Sequence, residues 1–330
     1  MDTSTTYLGL RLPHPFIAGA SPLSAHLDSV KRLEDAGAAA IVLHSLFEEQ
    51  ITMAASGRIR QRDPLDSQFA AALSAFPHSG EYPFSPEEHL EHLRRVKSAV
   101  RIPVIASLNG ATAEAWLHYA ERLEQAGADA IEVNFYAVVT DLAMPGLTIE
   151  TQLRDIVVEL KRKLRIPVAV KLSPFFTAFA NVACQLDQAG ADGLVIFNRF
   201  YQPDIDFRTM DVTPHLELSR SSEFLLRLRW LAILHGRVKA SLAATGGVET
   251  ANDAVKAILA GAHAVQMVSA LLRHGPSFLE STVDGLKRWM EWQKVESVDA
   301  MRGKVSLQHA ADPSAFERAN YIRMLHSWNK

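Results

Sequence analysis

The residues best placed to do chemistry are polar ones that close short apolar runs. Ala244-Thr245-Gly246-Gly247-Val248 ends one run in a glycine pair. The next, Ala264-Val265-Gln266-Met267-Val268-Ser269, ends in a serine that opens a helix. Paired glycines let backbone N–H groups approach an anion, and a helix start adds partial positive charge, so this spacing reads as a phosphate grip. Upstream, the same position is taken in turn by Ser21, His44-Ser45, Ser107 with Asn109, Asn134, Lys171 with Ser173, and Asn198-Arg199. Any one of these could merely cap a helix or shape a turn. Together they point to a shared ligand pocket. The lysine directly behind Val168-Ala169-Val170 weighs most, because a buried ammonium needs a compensating partner.

The elements that would position these side chains recur regularly. Eight apolar runs are read as strands: Phe16–Ala18, Ala40–Leu43, Val104–Ala106, Ala130–Val133, Val168–Val170, Leu194–Phe197, Ala240–Ala243 and Ala264–Val268. Helical patterns separate most of them, the signature of successive βα units and a parallel sheet. Ala-Gly-Ala closes helices at Gly37, Gly127, Gly190 and Gly261, where a left-handed cap is needed. Arg101-Ile102-Pro103-Val104 and Arg165-Ile166-Pro167-Val168 repeat a second device, proline stopping the helix before the strand. The expectation is an α/β fold, a single (β/α)₈ TIM barrel in one domain over 1–330. The barrel would span about 14–292 and a helical extension about 293–330. In such a barrel all strand ends open on one face, and a phosphate site lies after strands 7 and 8. Long insertions interrupt the rhythm at 45–86, with Arg58, Arg60 and Arg62, and at 199–224. The C-terminal helices could close the barrel floor or make a subunit contact.

Composition narrows the class. The 330 residues are 48% hydrophobic and 22% charged, enough for a large core. A net charge of −3 offers no basic footprint for nucleic acid or anionic membrane. One cysteine, Cys184, excludes a disulfide framework and is read as a core residue. No leader or spanning segment is evident, so a cytoplasmic protein without nucleic-acid or membrane partners is expected. The histidines show no metal-binding spacing, and His89 and His92, in a charged helix, are read as solvated.

These motifs resemble the dihydroorotate dehydrogenase family along about residues 5 to 290. The carriers are Ala18-Gly19-Ala20-Ser21-Pro22, Ile131-Glu132-Val133-Asn134, Pro167-Val168-Ala169-Val170-Lys171-Leu172-Ser173-Pro174, Thr245-Gly246-Gly247-Val248 and Val265-Gln266-Met267-Val268-Ser269. The likeness is greatest to a dihydroorotate dehydrogenase-like branch, through Leu108-Asn109-Gly110 and Phe197-Asn198-Arg199-Phe200-Tyr201-Gln202-Pro203-Asp204. The resemblance implies FMN as cofactor, oxidation of dihydroorotate to orotate in pyrimidine biosynthesis, and a homodimer. It implies that Ala20 and Ser21 lie against the flavin ring, that Ser45 is among the cofactor-binding residues, and that Asn109 and Asn134 hold ring or ribityl oxygens. Lys171 would stand at the ring edge where reduced flavin carries charge. Asn198 would hold substrate or ring, Arg199 substrate. Gly246, Gly247, Val268 and Ser269 would cradle the phosphate.

The departures fall where the chemistry belongs. The family's loop after the strand 4 asparagine supplies a cysteine or serine base, and here that position is Ala137 in Asn134-Phe135-Tyr136-Ala137. Alanine cannot take a proton. The family's lysine after strand 2 is His44, and a glycine near the phosphate is Arg220. His44, Tyr136 or Asp141 could stand in as base, although Tyr136 would need a lowered pKa. Arg199 could alternatively bridge Asp204 or Asp206. The other readings are a flavoprotein acting on another small acid, clamped by Arg58, Arg62 or Arg199, a silent FMN-binding subunit, and a flavin-free sugar-phosphate isomerase or lyase.

Overall fold

A computed structural model describes residues 1–51, 85–110 and 113–327. Arg58, Arg60 and Arg62 lie outside the described residues. An antiparallel hairpin comes first, β1 (Thr5–Tyr7) on β2 (Leu10–Leu12). The barrel strands are β3 (Phe16–Ala18), β4 (Ile41–Val42) with its continuation β5 (Leu46–Phe47), β6 (Val104–Gly110), β7 (Ala130–Phe135), β8 (Val168–Leu172) and β9 (Gly193–Ile196). After a second hairpin, β10 (Asp204–Asp206) and β11 (Asp211–Thr213), come the last two, β12 (Ser241–Thr245) and β13 (Ala264–Met267). All barrel pairings are parallel. The barrel closes through β13 on β3, with Val265 opposite Phe16, and through β4 on β6, with Ile41 opposite Val104. All eight strands expected from the sequence are present, so the fold is a (β/α)₈ barrel.

Local rules account for how each strand is entered. Gly37, Gly127, Gly190 and Gly261 all have positive φ, as the Ala-Gly-Ala caps require. At Arg-Ile-Pro-Val, the exposed turn N–H groups are taken by carboxylates. Glu34 Oε1 accepts from Arg101 and Ile102, and Glu124 Oε1 accepts from Arg165 and Ile166. Asp129 and Asp192 then accept from the first strand amides, Val104 and Val168, each at 2.7 Å, and each also holds a lysine, Lys97 or Lys161. Capping boxes start the helices Pro86–Ala99 (Ser85 with Glu88) and Ala251–Ala260 (Thr250 with Asp253).

The barrel floor is closed by the β1–β2 hairpin, where the sequence had suggested the C-terminal helices. Tyr7, Leu8 and Leu12 pack with the inward residues Ile17, Val42, Ile105, Ala130, Ala169 and Val195. The tight loop Leu8-Gly9 has positive φ at both residues, the twist a two-residue hairpin prefers. The C-terminal segment braces this plug from outside, with Arg302 Nη2 donating to Thr5 Oγ1 at 2.7 Å. A methyl group on Gly193 would overlap Leu8. Gly193→Ala is therefore expected to destabilise the protein by about 1–3 kcal/mol in urea unfolding, without altering the distant strand-end chemistry.

Cys184, expected in the core, is half-buried on the helix Phe179–Gln188, its sulfur accepting from Gln188 Nε2. No helix of the described residues is long and apolar enough to cross a membrane.

Candidate active site

Side chains alternate in and out along each strand, so parity decides which of them meet on the axis. Ala130, Ala169, Val195, Ala243 and Ala264 form the apolar lower layer. Two residues further along the same parity stand Glu132, Lys171, Thr245 and Gln266, with Ser107 above Ile105 and Asn134 above Glu132. Three of these make a buried ionic cluster. Lys171 Nζ donates to Glu132 Oε1 at 3.3 Å, and Gln266 Nε2 donates to Glu132 Oε2 at 2.5 Å. The exposures of Lys171, Glu132 and Gln266 are 6%, 0% and 1%, so bulk water does not screen the pair. Tyr7 lies below; burial first, then the Glu132 charge, hold its phenol well above the ordinary value. Glu132 was not assigned a role from the sequence. Its signal is parity: a carboxylate facing inward in an apolar strand, one strand from an inward lysine.

Beside this cluster, Ser45 and Ser107 hydroxyls lie 2.8 Å apart, and Asn134 Nδ2 donates to both. The Asn134 Oδ1 atom is buried without a hydrogen-bond partner among the described residues. Asn109 follows at the end of β6, level with Asn134 in register. Ser21 precedes the turn Pro22–Ser24, its carbonyl accepting from Ser24 Oγ at 2.9 Å.

At the mouth, Ala20, Lys171, Asn198, Arg199, Gly246, Gly247, Val268 and Ser269 line one cleft of about 100 Å³. Gly246 and Gly247 have φ of 82° and 83°, and a Cβ on Gly247 would stand 2.7 Å from the Arg220 carbonyl oxygen. The Gly247 N–H donates to Ser219 Oγ at 3.0 Å, and Ser219 and Ser269 hydroxyls lie 2.7 Å apart. Two guanidinium groups fasten this corner. Arg227, buried behind the turn, donates to the Thr245 carbonyl at 3.1 Å, and Arg273 donates to the carbonyls of Leu218 and Ser219. Burial lowers the Arg227 pKa. Ser219, Arg227 and Arg273 carry no strand-end signal; the resemblance places the Leu218-Ser219-Arg220 segment near the phosphate, and the two arginines are additions from the structure. Arg220 holds its exposed side chain near Glu217.

Arg199 pairs with Glu223, its Nη1 at 2.9 and 3.0 Å from the two carboxylate oxygens, and not with Asp204 or Asp206. Its Nε is buried without a partner among the described residues.

The candidate bases are placed less favourably. The Tyr136 ring stacks on Phe200, with centroids 4.1 Å apart, and burial raises its phenol above the ordinary value. The His44 ring lies 5.0 Å from that of His89 and 6.0 Å from that of His92. Both belong to the helix Pro86–Ala99 and are buried, at 1% and 5%, which corrects the expectation of solvated histidines. The face His89-Leu90-Leu93-Val96 follows helical periodicity and outweighs the charges on the other side. Burial, and then His89, His92 and His26, lower the His44 pKa to about 3. The unfolded chain thus takes up this proton first. The stability that His44 contributes is complete above the ordinary histidine value. It is lost as pH falls from there toward 3, at about 1 kcal/mol per pH unit. In urea unfolding between pH 7 and 5, His44→Phe is expected to flatten the pH slope by about that amount; an unchanged slope would contradict this.

Ala137 and Asp141 line a second cleft of about 560 Å³ that meets the first at Tyr201. Among the described residues no group of three His, Cys, Asp or Glu is arranged to hold a metal ion.

Comparison with known proteins identifies the family. Residues 85–290 match the family model for dihydroorotate dehydrogenase. The chain is 26% identical over 314 residues to the Thermoplasma volcanium protein named dihydroorotate dehydrogenase B (NAD(+)), catalytic subunit, covering 92% of this chain and 98% of that one. It is 25% identical over 321 residues to the Escherichia coli NAD-dependent dihydropyrimidine dehydrogenase subunit PreA, covering 92% and 76%. A third relative, the chloroplastic dihydropyrimidine dehydrogenase (NADP(+)) of Arabidopsis thaliana, is 25% identical over 339 residues, covering 93% and 78%. With a barrel of this topology and a match over most of its length, the chain belongs to the dihydroorotate dehydrogenase family and is an oxidoreductase.

Proposed function

We propose that the chain is an FMN-dependent oxidoreductase whose cofactor sits at the strand ends, and that dihydroorotate is not its efficient substrate. The observation that carries the cofactor reading is the run from buried Lys171 to the Gly246-Gly247 corner. The residues present fit the group: a glycine pair in a conformation only glycine adopts freely, two serine hydroxyls, a buried cation, and an Asn134 oxygen with no partner among the described residues. When bound, FMN supplies the acceptor or donor of a hydride exchanged with a substrate carbon. Lys171, held by Glu132, would offer a fixed positive charge to the reduced group. Gly246, Gly247, Val268 and Ser269 would hold the phosphate through backbone N–H groups and one hydroxyl, at the corner where the Gly247 amide donates to Ser219 Oγ. Ala20 and Ser21 would border the ring, with Ser45, Asn109, Asn134 and Asn198 near its polar edge.

Among the described residues, the family's base position offers no group for proton removal. Ala137 has no basic atom, His44 is turned toward His89 and His92, and Tyr136 has a raised pKa. A positioned base is worth about 10²–10⁴ in rate, so dihydroorotate oxidation is expected to be slow by that factor. Anaerobic mixing with dihydroorotate, followed at the flavin absorbance, tests this. Wild type should bleach slowly or not at all, and Ala137→Cys should bleach at least about tenfold faster. Rapid bleaching by wild type would overturn the argument from Ala137. The same alanine supports a second reading, an FMN-binding subunit with no substrate of its own. Wild-type bleaching by any small acid or arene would remove it.

A further inference from the structure

A strap of chain crosses the barrel floor from outside, and two histidines sit beneath it. Residues 297–310 lie beyond the stretch 85–290 that matches the family model. They run across the floor-side ends of the helices Phe224–Leu234 and Ala251–Ala260. A helix end leaves its last carbonyls open, and three strap amides take them. Gly303 donates to Ile258 and Val305 to Leu259, each at 3.0 Å, and Leu307 donates to Ala232 at 2.9 Å. Met301 and Ser306 of the strap are fully buried.

The His235 ring is slotted between two glycines. A methyl group on Gly261, at the end of a helix, or on Gly303, in the strap, would overlap it. His309 Nδ1 lies 3.1 Å from the Gly303 carbonyl oxygen. His263 accepts the Leu242 amide on Nδ1 at 3.0 Å, a bond that needs a lone pair on that nitrogen. The groups facing His235 are His309 and Arg302, and those facing His263 are Arg302, His235 and Asp299. Asp299 is the one carboxylate named there, and it is paired with Arg302 at 2.7 Å. A proton added to either ring therefore meets a cation in a poorly hydrated place. Desolvation, and then His309 and Arg302, lower the His235 pKa against a backbone hydrogen bond to Gly261. Desolvation, and then Arg302, lower that of His263 to about 4.

We propose that residues 297–310 are an acid-released strap: neutral His235 and His263 keep it on the floor, and their protonation frees it while the barrel stays folded. Both folded values lie below the ordinary histidine value, so docking is complete above that value and is lost as pH falls from it. A histidine that regains its ordinary value on release weakens docking by up to about tenfold per pH unit. Release would uncover the β1–β2 plug, which Arg302 ties down through Thr5, at the end of the barrel away from the candidate flavin site. The proposal does not rest on the flavin reading.

Hydrogen exchange of the full chain at pH 7.5 and pH 5.0, resolved by peptide and corrected for the intrinsic pH dependence of exchange, tests this. Protection of residues 301–308 should fall at least about tenfold between the two, while peptides covering β8 and β12 keep theirs. The double variant His235→Gln/His263→Asn carries amides that offer an acceptor and take up no proton in this range. Most of the pH-dependent fall should vanish in it, even where the strap is looser at both pH values. Wild-type protection that is the same at both pH values would overturn the proposal. So would strap and strands losing protection together, which would report global unfolding. Neither of these outcomes needs a variant. A full tenfold fall in the double variant would overturn it as well, by placing the titrating group elsewhere.

Discussion

Lys171→Met is expected to lower the stability of the folded protein by about 3–5 kcal/mol, the cost of leaving a buried charge without its partner. Glu132 is wholly buried, and one of its two oxygens faces Lys171 Nζ at 3.3 Å. Removing the ammonium leaves the carboxylate to the Gln266 amide, a neutral donor that cannot offset its charge. The double variant Lys171→Met/Glu132→Gln should recover most of the loss, because replacing both members of a buried pair is far milder than orphaning one. Function should not recover with it. If the lysine charge serves reduced flavin, the double variant will melt near wild type and still transfer electrons at least about a hundredfold more slowly. Urea unfolding of wild type and both variants measures the first effect, and stopped-flow flavin reduction with a competent substrate measures the second. A double variant that regains both would make the pair purely structural.

The second large effect is expected at the glycine corner. Gly247 has φ +83°, and a Cβ there would lie 2.7 Å from the Arg220 carbonyl oxygen and 3.1 Å from Phe224. Gly247→Ala must therefore accept left-handed strain of roughly 1–2 kcal/mol and also displace the Leu218–Arg220 segment. That segment carries Ser219, whose hydroxyl meets both Ser269 and the Gly247 amide. Hydrogen bonds to a charged group contribute about 1.5–3 kcal/mol each, so disturbing one or two should weaken cofactor retention by about 10–100-fold or more. Gly37→Ala is the control. It has φ +86° and nothing within 4 Å of an added methyl group, so it shares the strain without touching the corner. Flavin content after extensive dialysis should fall for Gly247→Ala and hold for Gly37→Ala. Equal retention in both would argue that the corner does not hold the phosphate.

The sequence made the frame and half of the pocket legible for a definite reason. Strands buried on both faces are runs of small and branched apolar residues, and their exits are marked by whatever polar residue follows. Lys171, Asn198, Gly246 and Ser269 could be found in that way. Other features leave no such mark. The hairpin strands Thr5–Tyr7 and Leu10–Leu12 are three residues each, too short for alternation to show. Ser219 reaches the corner from a long connection whose path no periodicity encodes. His44 follows a two-residue strand, Ile41–Val42, so parity does not predict where its ring turns, and it meets His89 and His92. Arg199 found Glu223, twenty-four residues away and across the loop, where neighbouring aspartates had looked the more obvious partners. Glu132 could have been read, had inward parity been applied to a charged residue as strictly as to an apolar one.

The central claim is that the corner after β12 and β13 holds the phosphate of a flavin mononucleotide. Heating the purified protein, removing the precipitate and identifying the released chromophore by chromatography and mass tests it most directly. FMN at close to one per chain is the predicted result. Colourless protein that takes up no FMN on incubation, or protein that releases only unphosphorylated riboflavin, would contradict it.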